Sequence, residues 1–328
     1  MSKSTIIGGG AWGSALASVL ASAARDGSQN RDINVLVRHQ DMAEALMAGT
    51  SPRLNHQDIT PPHLATTDAR IALAGADTVL VVVPVAATTD ALSLIRKYAP
   101  ADAVVALTAK GLEAGTGDLQ TELAEKHLGR DIVMLCGPSF ADETAARKPC
   151  CLVAASHDAA MAQTIAQLFS ASSVRVYTSD DPIAVAVASS VKNVIAIAAG
   201  ITAALQLGDN ARAALITRGL AETSRLALAL GGRQETLFGL AGAGDMFLTC
   251  TDSHSRNYSF GFALGSGTAP SSDLAEGAKT VSSIMARASA LGVETPITAA
   301  IDRVVNHHAD IKSEIKSLLA RPVDQEWG

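Results

Sequence analysis

Lys192 is a lone cation inside the apolar run Val191-Lys192-Asn193-Val194-Ile195-Ala196-Ile197-Ala198-Ala199-Gly200. Read as a helix, the run places Ala196 and Ala199 on the face of Lys192, leaving room for a flat ring or a small substrate. Burial disfavours an ammonium and draws its pKa down toward neutrality, which is what a general acid or base at physiological pH requires. Taken by itself, the residue equally suits a structural lysine paired with a distant carboxylate, or one whose amine snorkels to solvent.

Three other stretches carry chemistry-bearing residues. Thr108-Ala109-Lys110-Gly111-Leu112-Glu113 follows the apolar run Val104 to Leu107, which puts Lys110 at the carboxyl end of a strand, where open α/β sheets bind ligands. Cys136-Gly137-Pro138-Ser139-Phe140-Ala141-Asp142-Glu143 also follows a strand, and its small residues can turn backbone N–H groups toward an anion, or form an ordinary strand-to-helix turn. Downstream of Gly239, a helix beginning near Asp245 sets Asp245 and Thr249 on one face, with Ser255, Arg256 and Asn257 in a polar turn suited to a phosphate. The plainer reading there is an N-cap aspartate followed by a surface loop.

These residues depend on elements that hold them together, and the amino terminus shows what kind. Ser4 to Ile7 reads as a buried strand, Gly8-Gly9-Gly10-Ala11-Trp12-Gly13 as a turn, and Ser14 to about Ala24 as a helix. Gly8 permits the tight turn, Gly10 lets backbone approach a pyrophosphate, and Gly13 lets helix pack on strand, so the segment reads as a Rossmann-type dinucleotide fingerprint. NAD sites usually carry an acidic residue at the end of the second strand, here Ile33 to Val37; this chain has Arg38-His39-Gln40. A guanidinium suits a 2′-phosphate, so NADP(H) is the preferred cofactor with NAD(H) also admitted; the other reading of Arg38 and His39 is a solvated strand end.

Further strands are expected at Thr78–Val83, Val104–Leu107, Ile132–Leu135, Cys151–Ala154 and Val174–Tyr177, alternating with helices in a parallel layout with right-handed crossovers. From about Asp181 the strand signals stop and alanine-rich helices take over, such as Asp209 to about Leu230 with Asp209 as its cap. The expected fold class is therefore α/β: a Rossmann-type parallel-sheet amino-terminal domain, 1–180, and an all-helical carboxyl-terminal domain, 181–328. Gly265 to Ser272 reads as a flexible surface loop.

With 328 residues and 48% hydrophobic content, the chain can bury a large core in two domains. The net charge of −6, without any Lys/Arg cluster, argues against nucleic acid or an anionic membrane as partner. Cys136, Cys150, Cys151 and Cys250 have no zinc-ligand spacing, no metal motif is present, and no disulfide framework is suggested. The expectation is a soluble cytoplasmic protein with no leader, no membrane span and no metal.

Joined in order along nearly the whole chain, these motifs, together with Asn210-Ala211-Arg212-Ala213-Ala214-Leu215-Ile216-Thr217-Arg218-Gly219-Leu220-Ala221-Glu222 and Thr249-Cys250-Thr251, resemble the bacterial soluble NAD(P)-dependent glycerol-3-phosphate dehydrogenase family. The resemblance implies reversible hydride transfer between NAD(P)H and dihydroxyacetone phosphate, giving sn-glycerol 3-phosphate for phospholipid synthesis, in a chain that can form a homodimer. It implies Lys192 as the proton-transfer residue and Lys110 as a second active-site lysine near cofactor and substrate. It further implies substrate-side roles for Gly137, Ser139, Asp245, Ser255, Arg256 and Asn257. Cofactor-side roles are implied for Ala11, Trp12, Arg38, His39, Ala141, Leu274 and Glu276, with Arg256 touching both ligands.

Ketone reduction builds negative charge on oxygen, so the site needs a proton donor and a cation there, which Lys192 and Lys110 would supply while Asp245 orients Lys192 or a substrate hydroxyl. Two other functions remain open on the residues alone. A dehydrogenase acting on a 3-hydroxy acid or a pantoate precursor would share the fold but not need the Ser255-Arg256-Asn257 clamp. A redox-sensing NADP(H)-binding module would need the glycines but not Lys110, Lys192 and Asp245 together.

Overall fold

The computed structural model describes residues 2–27, 30–55, 57–270 and 275–321. An eight-stranded sheet runs in the order Val174–Ser179, Cys150–Ala155, Val133–Cys136, Val104–Leu107, Thr78–Val81, Ser2–Ile7, Arg31–Leu36, Leu64–Thr66. The central strands are apolar on both faces because helices cover both sides. On one face Ala15, Leu16, Leu20 and Ile165 pack in one cluster; on the other, Leu107 and Met134 join Val185, Val191 and Ile195 in a cluster continuous with the helical half of the chain.

Every expected strand is present within a residue or two, and the short edge strand Leu64–Thr66 adds one that periodicity did not reveal. One feature of the layout differs from expectation. Val133–Cys136 pairs antiparallel with Cys150–Ala155, which in turn pairs parallel with Val174–Ser179, so the sheet is mostly rather than wholly parallel. The connection between the antiparallel pair contains only a five-residue helix, Ala141–Ala145, whose length of about 7–8 Å does not carry the chain back to the opposite edge of the sheet.

That reversal decides where the main helix starts. Ser179 ends at the edge opposite the fingerprint turn, and Pro182–Ala204 begins there, capped by Asp181, whose Oδ1 accepts from the Ala184 N–H at 3.0 Å. Asp181 Oδ2 accepts from the Arg233 N–H at 2.9 Å and the Thr236 hydroxyl at 2.7 Å, tying the helix start to the next helical layer. Lys192 then lies about 15 Å along the helix axis, back toward the ligand-binding edge.

Pro182–Ala204 is long and apolar enough to cross a bilayer, with a hydropathy of 1.8, but 94% of that window is buried inside the fold. Its packing against the helix Arg256–Gly265 is close: a Cβ on Gly200 would meet the Tyr258 carbonyl oxygen, and one on Gly261 the Ile197 carbonyl oxygen. Ala196 and Ala199 are fully buried, so the face that the sequence suggested as open to a ring is closed by packed protein. Asp209 is not a cap; Gly208 precedes the helix Asp209–Ala229, and Asp209 instead pairs with Arg212 at 2.8 Å. Gly265 still belongs to its helix, and residues 271 and 272 of the expected loop lie outside the described residues.

Candidate active site

Four strands, Ser2–Ile7, Arg31–Leu36, Val104–Leu107 and Val133–Cys136, end at the ligand-binding edge, and each leads into a residue singled out above. After Ile7, Gly8 adopts φ +120°, and a Cβ there would run into the Val82 carbonyl oxygen. A Cβ on Gly13 would meet the carbonyl oxygen of Gly8, so these two glycines are required by packing. Gly10 differs: a Cβ there would find nothing within 4 Å. It borders open space at the start of the helix Ala11–Arg25, whose first N–H groups have no side-chain cap, an arrangement that fits a pyrophosphate. Ala11, Trp12 and Ala141 pack against the same apolar cluster, which places the Ala141–Ala145 segment beside the fingerprint helix. Arg38 and His39, past the end of Arg31–Leu36, are exposed.

The strand Val104–Leu107 delivers Lys110, and the long helix delivers Lys192. Both meet Asp245, the first residue of the helix Asp245–Thr251, which a π-helical turn over Leu240–Gly244 leads into. Lys192 Nζ is 2.5 Å from Asp245 Oδ1, and Lys110 Nζ is 3.2 Å from Oδ2. Asp245 is therefore no helix cap; its two oxygens are divided between two ammoniums. Lys192 Nζ also donates to Thr249 Oγ1 at 2.9 Å, and that hydroxyl donates to the Asp245 carbonyl at 2.6 Å, the one-face relation that i, i+4 spacing predicted. The Lys192 and Asp245 side chains are 5% and 1% exposed, whereas Lys110 keeps 21%, so Lys110 faces the opening.

The cluster has two cations and one anion, and its electrostatics separate the two lysines. Burial, together with the neighbouring Lys110 charge, pulls Lys192 down to about 8 against the opposing pull of Asp245. Burial acts on Lys110 in the same direction, but the Asp245 carboxylate and the nearby Cys136 outweigh it and hold Lys110 above the usual lysine value. Burial would raise Asp245, yet the two ammoniums keep it below the ordinary carboxylate range. The arrangement thus contains a permanent cation beside an amine able to exchange its proton near neutral pH.

A chain of side-chain amides fixes this centre to the helix carrying Arg256. Asn193 Nδ2 donates to the Lys110 carbonyl at 3.3 Å, Asn257 Nδ2 donates to Asn193 Oδ1 at 3.0 Å, and the Gly277 N–H donates to Asn257 Oδ1 at 2.9 Å. Ser255 caps the helix Arg256–Gly265 by accepting from the Tyr258 N–H at 3.3 Å, and Arg256 is exposed at its first position. Glu276, at the start of Glu276–Ala290, is pushed up by burial, with Arg256 the main opposing charge, so those two side chains lie in one electrostatic neighbourhood. Leu274 lies outside the described residues.

Gly137 takes φ +152°, and a Cβ there would sit 2.8 Å from the Cys151 carbonyl oxygen, so the glycine is needed where the antiparallel strand passes. Ser139 Oγ donates to the Gly137 carbonyl at 3.2 Å. Pro138 Cγ would be 3.8 Å from a Cβ on Gly244, and Phe140 and His254 have ring centroids 5.5 Å apart, which brings this turn against both ends of the Asp245 segment. Asn193 is the participant to which sequence reasoning gave no role; its signal was a second polar residue inside the same apolar run as Lys192.

Comparison with known proteins gives a consistent result. Residues 3–162 match the family described as NAD-dependent glycerol-3-phosphate dehydrogenase N-terminus, and residues 181–316 match its C-terminus. The chain is similar to a glycerol-3-phosphate dehydrogenase (NAD(P)+) of Rhodospirillum rubrum, 41% identical over 98% of this chain and 93% of that protein. It is also similar to one from Methylobacillus flagellatus, 40% identical over 99% of each. The crystal structure of glycerol-3-phosphate dehydrogenase from Coxiella burnetii superposes with a TM-score of 0.90 at 36% identity, covering 98% of this chain and 99% of that one.

Proposed function

Because the chain belongs to the NAD-dependent glycerol-3-phosphate dehydrogenase family, we propose that it interconverts dihydroxyacetone phosphate and sn-glycerol 3-phosphate with NAD(P)(H). The observation that carries this reading is the division of one buried carboxylate, Asp245, between Lys192 and Lys110 at the edge where Gly10 leaves room for a cofactor. When bound, a nicotinamide cofactor would supply the hydride in reduction and accept it in oxidation. Lys192 gives its ammonium proton to the carbonyl oxygen as charge gathers there, and recovers a proton from solvent after product leaves. Lys110, charged throughout, stabilises the developing alkoxide, and Asp245 keeps both nitrogens aimed without competing for the substrate.

The phosphate is far from the reacting carbon and serves as a handle for orienting it. Arg256, exposed at the first position of its helix, supplies the receptor, with the cap residue Ser255 beside it. Asn257 works from behind, because its amide is already bonded to Asn193 and Gly277. Gly137 and Ser139 are assigned to the substrate side. Ala11, Trp12 and Ala141, with Glu276 and Leu274, are assigned to the cofactor side, and exposed Arg38 with His39 to a 2′-phosphate, which makes NADP(H) the preferred form. Residues 1–180 act as the cofactor domain and 181–328 as the substrate domain of a cytoplasmic enzyme. The homodimer rests on the family resemblance.

Following NADPH absorbance with dihydroxyacetone phosphate tests the reading directly: stoichiometric oxidation is expected, and none with unphosphorylated hydroxy-acid precursors. No oxidation with the phosphate ester would overturn it.

A further inference from the structure

We propose that Gln120 is a positioning residue for Lys110, acting through the backbone of the loop that carries it. This rests on the reading of Lys110 as the cation at the substrate carbonyl. Gln120 is 1% exposed and is the first residue of the helix Gln120–Leu128. Its Nε2 donates to the Gly111 carbonyl at 3.0 Å, while Asn193 Nδ2 donates to the preceding carbonyl, that of Lys110, at 3.3 Å. Two consecutive peptide units are thus held by two side-chain amides from different helices.

The loop is confined from the other side as well. A Cβ on Gly111 would come within 2.7 Å of Thr280 Cγ2 and 3.0 Å of Val85 Cγ2, so the backbone lies wedged between the helix Glu276–Ala290 and the turn after Thr78–Val81. The helix of Gln120 is itself tied to Glu276–Ala290, because Arg287 Nη2 is 2.6 Å from Glu122 Oε1. Gln120 therefore holds the Gly111–Leu112 peptide, the unit next to the Lys110–Gly111 peptide that Asn193 holds, and so limits how far the Lys110 backbone can shift.

The other end of the same side chain sharpens the argument. Gln120 Oε1 is buried and has no hydrogen-bond partner among the described residues. A half-satisfied buried amide is costlier than an apolar residue of similar volume, so for stability alone a methionine or leucine would serve better at this position. What the glutamine uniquely supplies is the donated bond to Gly111. Lys110 has a partly exposed side chain and a long, rotatable stem, and without that bond its ammonium can swing from Asp245 toward solvent.

The test is a double-mutant cycle on the full chain. Gln120→Met keeps volume and removes the donor; it should lower kcat for dihydroxyacetone phosphate roughly tenfold or more, with the KM for NADPH changed less than about twofold. In a Lys110→Ala background the same substitution should cost almost nothing, because the group it positions is gone. Gln120→Leu, which likewise has no donor for the Gly111 carbonyl, should lose a comparable share of kcat and serves if the methionine variant does not fold. An equal loss with and without Lys110, or wild-type kcat in either single variant, overturns the proposal. A wild-type chain that does not oxidise NADPH with dihydroxyacetone phosphate would instead overturn the functional reading on which it rests.

Discussion

Lys192 and Lys110 bind opposite oxygens of the same carboxylate, Lys192 at 2.5 Å from Asp245 Oδ1 and Lys110 at 3.2 Å from Oδ2. With one anion between two cations, the more deeply buried amine is the one that gives up its proton more easily. The consequence is a division of labour between proton transfer at Lys192 and fixed charge at Lys110.

Lys192→Ala is expected to lower kcat by at least ~100-fold while NADPH still binds, and Lys192→Arg should do nearly as badly, since guanidinium keeps the charge but not an exchangeable proton. With Lys192 lowered to about 8, ketone reduction needs its protonated form and should decline as pH rises through that value, while alcohol oxidation should rise over the same interval. Steady-state rates in both directions across pH check this. An arginine variant with wild-type turnover would transfer the acid/base role elsewhere.

Arg256→Ala should reduce kcat/KM for dihydroxyacetone phosphate by roughly two orders of magnitude, through loss of a charge-assisted contact and poorer alignment of the carbonyl. Unphosphorylated dihydroxyacetone should be reduced at an unchanged rate. Comparable losses on both substrates would show that Arg256 serves the cofactor or the fold instead.

Arg38→Ala should weaken NADPH by roughly 1.5–3 kcal/mol, the scale of a charged hydrogen bond, and leave NADH nearly unchanged. Fluorescence titration with the two cofactors measures the difference, and equal weakening of both would remove the 2′-phosphate from the Arg38 environment.

Glu222, in the helix Asp209–Ala229, is buried and accepts from the N–H groups of Ile297 and Thr298 at 2.6 and 3.2 Å, capping the helix Pro296–His307. Glu222→Ala should cost roughly 1–3 kcal/mol in urea unfolding, because those donors stay buried without it. Burial raises this carboxyl from 4.5 to about 6, so the folded state holds the proton more tightly than the unfolded one. Its contribution to stability is therefore largest at low pH and declines as pH rises from about 4.5 through 6. The alanine variant should lose that slope; a stability difference that grows with pH in this window would contradict it.

Local order was legible in the sequence wherever a single segment carried its own reason. Glycines at 8, 10 and 13, the apolar strands, the alanine-rich helices and the i, i+4 pair Asp245 and Thr249 follow from backbone sterics, periodicity and rise per residue, all of which are local properties. So did the choice of Lys192 and Lys110 as chemistry-bearing cations, one in an apolar helix and one after a strand. Tertiary structure decided which carboxylate they share, because Asp245 is brought to both only by the packing of its helix on Pro182–Ala204. It also decided that the sheet reverses at Cys150–Ala155, since strand direction depends on how far a connection can carry the chain, which alternating hydrophobicity does not encode. The Asn193 bond to Lys110 and the Gln120 bond to Gly111 belong to the same class. A buried amide announces that it needs a partner, but only the folded chain determines which carbonyl it finds.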